Sequence, residues 1–199
     1  MDIKETIKLL NEDFFLLNDA ESIEMYVEGK GIDKESVQKK SLTYDPATKS
    51  AINAKEKSLG VKLPPSYIEF LLVSNGFKII SPFLDNLFPI EKIDWAKNLE
   101  EKWLLDMYSS DASEVSDEQY FYYEEDQDPA LSRNRYIPES LEISEWYDGM
   151  CVFLNPVIKF GDEWEVLVSA TWYPGIRRYK SFREYLWETH ESNRRLLEK

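Results

Sequence analysis

Apolar side chains in the first part of the chain recur every three to four positions. In "ETIKLLNEDFFLLNDA", Ile7, Leu10, Phe14 and Leu17 share one face of a helix. "AESIEMYVEGKGID" is a second, shorter amphipathic stretch, stopped by Gly29 and Gly31. Residues 1–44 therefore read as a helical N-terminal extension, set apart from residues 45–199. At Asp45-Pro46 an N-cap residue precedes a proline, which predicts a helix start there. Ile52, Glu56 and Leu59 follow on one side, and Gly60 supplies the left-handed stop. "VKL" crosses over, and Pro64 and Pro65 pre-set the next helix. Tyr67, Leu71 and Ser74 form one row of it, Ile68 and Leu72 the next, and Phe70 widens the apolar face before Asn75-Gly76 closes it.

Beyond Phe77 the pattern changes. "FKIIS" and "LFPIE" predict short strands, with Pro89 marking an edge or a break. "EKIDWAKNLEEKWLLDMY" returns to helical spacing, with Ile93, Ala96 and Leu99 in a row that Trp103 and Met107 continue. "SLEIS", "GMCVFLNPVI" and "WEVLVSATWY" are rich in β-branched and aromatic residues, and "YPGIRRY" reads as a turn. Ser181 and Glu184 then form a capping box for a last helix toward Leu197, with Phe182, Tyr185 and Leu186 inward. Helices first, a consecutive β block, then a closing helix predict an α+β fold. Its centre is a mostly antiparallel sheet flanked by helices.

Composition supports a folded domain. The chain has 199 residues, 43% of them hydrophobic and 14% aromatic, enough for a real core. No apolar run approaches the ~20 residues of a membrane span. The start, "MDIKETIKLLNEDFF", lacks the basic and apolar regions of a secretory signal. A single cysteine excludes an internal disulfide framework. The expectation is a cytoplasmic protein with no membrane partner.

Charge changes the picture most. Asp plus Glu number 38 against 24 Lys plus Arg, a net −14. Such a surface repels nucleic acid and attracts basic partners. The negative charge is concentrated. No basic residue lies between Lys102 and Arg133, while Asp106, Asp111, Glu114, Asp117, Glu118, Glu124, Glu125, Asp126 and Asp128 do. Tyr120, Phe121, Tyr122 and Tyr123 are embedded among them. One reading is a solvated acidic loop, an insert over about 108–133. The other is a binding surface for a basic partner, in which carboxylates steer encounter and tyrosines supply rigid contact area. On that second reading the partner-binding residues are Asp111, Glu114, Asp117, Glu118, Tyr122, Tyr123, Glu124, Glu125, Asp126 and Asp128. The same aromatics also fit a strand in the core with acidic flanks.

Reactive residues are few. The one histidine, His190, extends the buried stripe of the last helix, and the one cysteine, Cys151, sits in an apolar strand; both read as structural. No G-x-S-x-G surrounds a serine. "DQDPALSRNR" opens like a calcium loop but places Ala130 and Leu131 where ligand and glycine belong. Gly29-Lys-Gly31 lacks the third glycine of a phosphate loop. These absences point to a protein that is not an enzyme and needs neither cofactor nor metal. A carboxylate-dependent hydrolase is the remote alternative.

The punctuated stretch "EKSLGVKLPPSYIEFLLVSNGF" resembles the signature of the SUKH superfamily, the SMI1/KNR4-like domains. The matching residues are Leu59, Gly60, Leu63, Pro64, Tyr67, Phe70, Leu71, Asn75 and Gly76. "VFLNP", "EWEVLVSATWYPG" and "RRYKSFREYLWE" resemble the family's late strands and closing helix, so that the likeness runs over roughly residues 45–195. It implies a sheet flanked by helices, no catalytic residues, and function by binding. Many bacterial members look like immunity proteins that neutralise a cognate toxin domain, often a nuclease or a deaminase. Others are interaction hubs, which makes a cytosolic adaptor without a toxin partner the alternative.

Overall fold

The computed structural model describes residues 2–29, 32–82, 84, 86–98, 106, 115–124, 126–146, 149–172 and 175–198. Helix α1 (Ile3–Leu17) starts at Asp2, whose carboxylate accepts from the Lys4 amide, and buries Ile3, Ile7, Leu10 and Phe14. Helix α2 (Ala20–Gly29) buries no residue fully, and α3 (Lys34–Lys39) is capped by Asp33. The helical hairpin follows as α4 (Lys49–Leu59) and α5 (Pro65–Val73).

Helix α4 does not begin at Asp45-Pro46. Thr48 is its N-cap and accepts from the Ala51 amide. The residues before it are committed to α5 instead. The Asp45 carbonyl accepts from the Asn75 amide at 3.2 Å, and the Ala47 amide donates to the Leu71 carbonyl at 2.8 Å. Gly60 adopts the left-handed conformation (φ 74°) as its position demands. Glu56, buried, accepts from the Leu63 amide and from Lys62, and so locks the crossover between the two helices.

Five strands form one antiparallel sheet in the order β1-β2-β3-β4-β5: Asp94–Trp95, Leu141–Glu142, Met150–Phe160, Glu163–Ala170 and Ile176–Tyr179. Three expected features differ. "EKIDWAKN" is β1 followed by a 3-10 turn, Ala96–Asn98, because Trp95 pairs with Leu141 and the Ala96 amide donates to Ser140. The continuation through Leu99, Trp103 and Met107 lies outside the described residues. "GIRRY" is the edge strand β5 and not a turn, with Arg178 opposite Leu167. The predicted strands at 77–90 are isolated bridges, Phe77 with Leu87 and Ser81 with Leu84. Gly76 (φ 100°) permits the first of these, since a Cβ there would stand 2.5 Å from the Leu87 carbonyl oxygen.

Alternation along the strands gives the sheet two different faces. Val152, Leu154, Val166 and Val168 join the main core with Tyr67, Phe70, Phe182 and the apolar stripe of α1. The closing helix α7 (Phe182–Leu197) packs between α1 and the sheet. The His190 ring and Asp13 meet at 2.6 Å, both buried, across the α1–α7 interface. The N-terminal extension thus shares the main core. The opposite face carries Cys151, Phe153, Leu167 and Ile176, with Ala96 and Ile137 over them.

Candidate functional site

The acidic segment covers this second face. Ser116 caps a short helix, α6 (Asp117–Tyr120), in a reciprocal capping box with Gln119. The turn places Tyr120 and Tyr123 inward and Phe121 and Tyr122 outward, the latter two 44% and 45% exposed. Both inward tyrosines reach one acceptor. Glu165 of β4 is wholly buried. Its carboxylate accepts from the Tyr120 hydroxyl at 2.8 Å, the Tyr123 hydroxyl at 2.5 Å and the Asn155 side-chain amide at 2.6 Å. Asn155 pairs with Glu165 across the sheet, immediately before the irregularity that Pro156 introduces into β3.

Arginines complete the seat. Arg178, 1% exposed, donates to the carbonyls of Leu131, Ile176 and Tyr122. Its guanidinium lies 4.8 Å from the Tyr120 ring centre, and that of Arg133 lies 4.6 Å from the same ring. Arg133 also donates to the Val115 carbonyl and to Asp117. Gln127 acts as a surrogate strand. Its side-chain Nε2 donates to the Arg178 carbonyl and its Oε1 accepts from the Arg178 backbone amide, while the Pro129 carbonyl accepts from the Ile176 amide. These bonds occupy the free edge of β5, where unpaired groups invite foreign strands.

Burial pushes the Glu165 carboxyl above its ordinary range, and the tyrosine and asparagine donors pull it back. Burial, then the neighbouring Glu165, push the Tyr120 and Tyr123 hydroxyls far up, so both stay protonated as donors. With Glu165 sealed from solvent, this arrangement anchors a segment and offers substrate no approach.

The residues expected to bind a partner divide. Asp117, Glu118, Glu124, Asp126 and Asp128 are all exposed. Tyr122 is exposed and donates to Asp126 at 2.6 Å. Tyr123 faces inward. Asp111, Glu114 and Glu125 lie outside the described residues. Cys151 and His190 sit on opposite faces of the sheet; burial and the adjacent Glu142 raise the Cys151 thiol. Among the described residues no cluster of His, Cys, Asp or Glu is placed to hold a metal, and no helix is long and apolar enough to cross a membrane.

Comparison with known families matches residues 46–188 to the SMI1/KNR4 family (SUKH-1). The chain belongs to the SMI1/KNR4 family. The chain has no significant match among curated proteins. The SUKH-1 match begins after α3, so α1 contributes to the core of this SUKH-1 domain from outside the matched region. It also spans the acidic segment and its seat. The residues missed by sequence reasoning are those that anchor: Glu165, Asn155, Arg178, Gln127 and Arg133. One signal was present. Glu165 stands between Trp164 and the apolar run Val166-Leu167-Val168, a position in the strand that requires buried donors.

Proposed function

We propose that this SUKH-1 protein is a non-catalytic immunity protein. It binds and neutralises a cognate toxin domain with a basic, nuclease-type cleft, through the acidic, aromatic-bearing surface of residues 111–128. The observation that carries the reading is the division of the segment into two sides. The inner side is spent on anchoring, through Tyr120, Tyr123 and Gln127. The outer side presents Asp117, Glu118, Glu124, Asp126 and Asp128 around the exposed Phe121 and Tyr122. A solvated loop has no use for such fixation. A surface that imitates a polyanion benefits from it, because a preorganised segment loses less entropy on binding.

The test is affinity capture from the native host with elution by a salt gradient. A single basic toxin-like polypeptide leaving at high salt is the expected result. Reversing Glu124, Glu125, Asp126 and Asp128 to lysine should then slow its association by roughly ten- to a hundredfold at low salt. An unchanged on-rate would remove the segment as the interface. Recovery of several housekeeping proteins would move the reading to an adaptor.

A further inference from the structure

Two hollows lie side by side along α7, sharing Arg177, Tyr179 and Arg195 as their common wall. The first, about 450 Å³, opens between α7 and the acidic segment. Glu184, Glu188 and Glu191 line it from one helical stripe, at spacings that bring them to the same face. Glu124 closes the far side, and the Trp187 ring lies between. Four carboxylates there stand against two guanidiniums, an excess of two negative charges. The Arg195 guanidinium stands 3.9 Å from Glu188 and donates to the Ser192 hydroxyl. Carboxylates in a concave, half-buried setting focus their field more than exposed ones do.

The second hollow, about 390 Å³, has a different lining: Met150, Val168, Tyr185, Leu196 and, at its rim, Trp172. Trp172 is 49% exposed. With Met150, Val168, Tyr185 and Leu196 it lines one hollow, and a contiguous apolar patch is a feature of interaction surfaces. Both volumes fall in the range that admits side chains of a partner, roughly 300–1,000 Å³.

We infer that this double furrow docks an extended segment of a protein partner, a basic side chain entering the acidic half and a large apolar one the other. The inference rests on the reading that the protein acts by binding a basic partner. It adds a second contact surface, on α7 and β5, beside the outward acidic ridge. Charge complementarity selects the occupant: an acidic or neutral segment would leave the excess carboxylates of the first hollow unopposed.

The experiment is an amide NMR titration of the full chain with the peptide acetyl-Trp-Gly-Arg-Gly-amide, and with its Arg-to-Glu counterpart as control. Shifts confined to Arg177, Tyr179 and the amides of α7 are expected with the first peptide only. The E124Q/E188Q/E191Q variant should bind roughly tenfold more weakly, while E21Q/E24Q, on the exposed side of α2, binds as the parent does. The spectrum away from α7 reports that each variant is folded. Shifts on 117–128 alone, equal shifts with the Glu peptide, or none at millimolar peptide overturn the furrow. The two readings fail separately. A captured toxin held equally by the triple variant sinks the furrow and leaves the immunity reading. A furrow that takes the peptide while no basic toxin is captured does the reverse.

Discussion

The two faces of the sheet are covered by different means. On one, helices α1, α5 and α7 bring apolar side chains against Val152, Leu154, Val166 and Val168, and cohesion comes from burial. On the other, a small apolar patch is extended by a carboxylate, two tyrosines, two arginines and a glutamine, nearly all buried and mutually bonded. The difference teaches how a net-negative segment is held on a protein that is itself negative. Burial alone would not fix a segment whose inward aromatics, Tyr120 and Tyr123, each carry a hydroxyl that must be bonded. Directed hydrogen bonds do, and they fix which side of the segment faces out.

The largest effect belongs to the apolar face. Phe70 is wholly buried, with its ring 5.0 Å from that of Phe182 and 6.0 Å from that of Tyr67. Phe70→Ala should cost about 3–5 kcal/mol. Because β3 and β4 belong to both faces, urea melts followed by tyrosine fluorescence and by helical circular dichroism should shift together. Separate transitions would show that the two faces are independently stable.

A smaller and more local loss is expected on the polar face. Tyr120→Phe with Tyr123→Phe removes two donors from Glu165 and leaves the rings in place. About 2 kcal/mol should be lost. Hydrogen exchange should accelerate at amides 115–131, while α5 and α7 keep their protection. Equal acceleration throughout would mean that the seat is no separate unit.

The same contrast governs what was legible in the sequence. Helical periodicity gave α1 and α7, and Gly60, Pro64 and Pro65 gave the hairpin, because local spacing and backbone preference decide those elements. The strands β3 and β4 followed from β-branched runs. Elements whose form depends on a distant partner did not. The pairing of Trp95 with Leu141 overrides the helical spacing of 91–98, and Gln127 and β4 turn "GIRRY" into a strand. Thr48 replaces Asp45 as a cap because Asp45 is bonded to Asn75, a residue remote in sequence. The acidity of the candidate surface was plain, but not its inner side. Nothing local shows that Tyr120 and Tyr123 face Glu165, which lies more than forty positions away.

The smallest effect, and the most specific to the polar face, is a pH dependence. Burial holds the Glu165 carboxyl above its ordinary value of 4.5. The folded chain therefore binds this proton more tightly than the unfolded chain does. Between the two values the folded state carries more protons, so stability falls as pH rises from about 4.5 through the raised value, and is level above it. Glu165→Gln removes the titration. The stability of the parent relative to this variant should decline across that window in urea melts taken from about pH 4 to 8. Asp13 is also raised by its burial, but it is present in both proteins and cancels. The tyrosine variant sharpens the test. Tyr120 and Tyr123 lower the Glu165 value by donating to its charged form, so their loss should carry the declining window to higher pH. A parent-minus-variant difference that stays constant with pH would show that Glu165 is not shifted, and that the seat holds the acidic segment by shape and not by its buried charge.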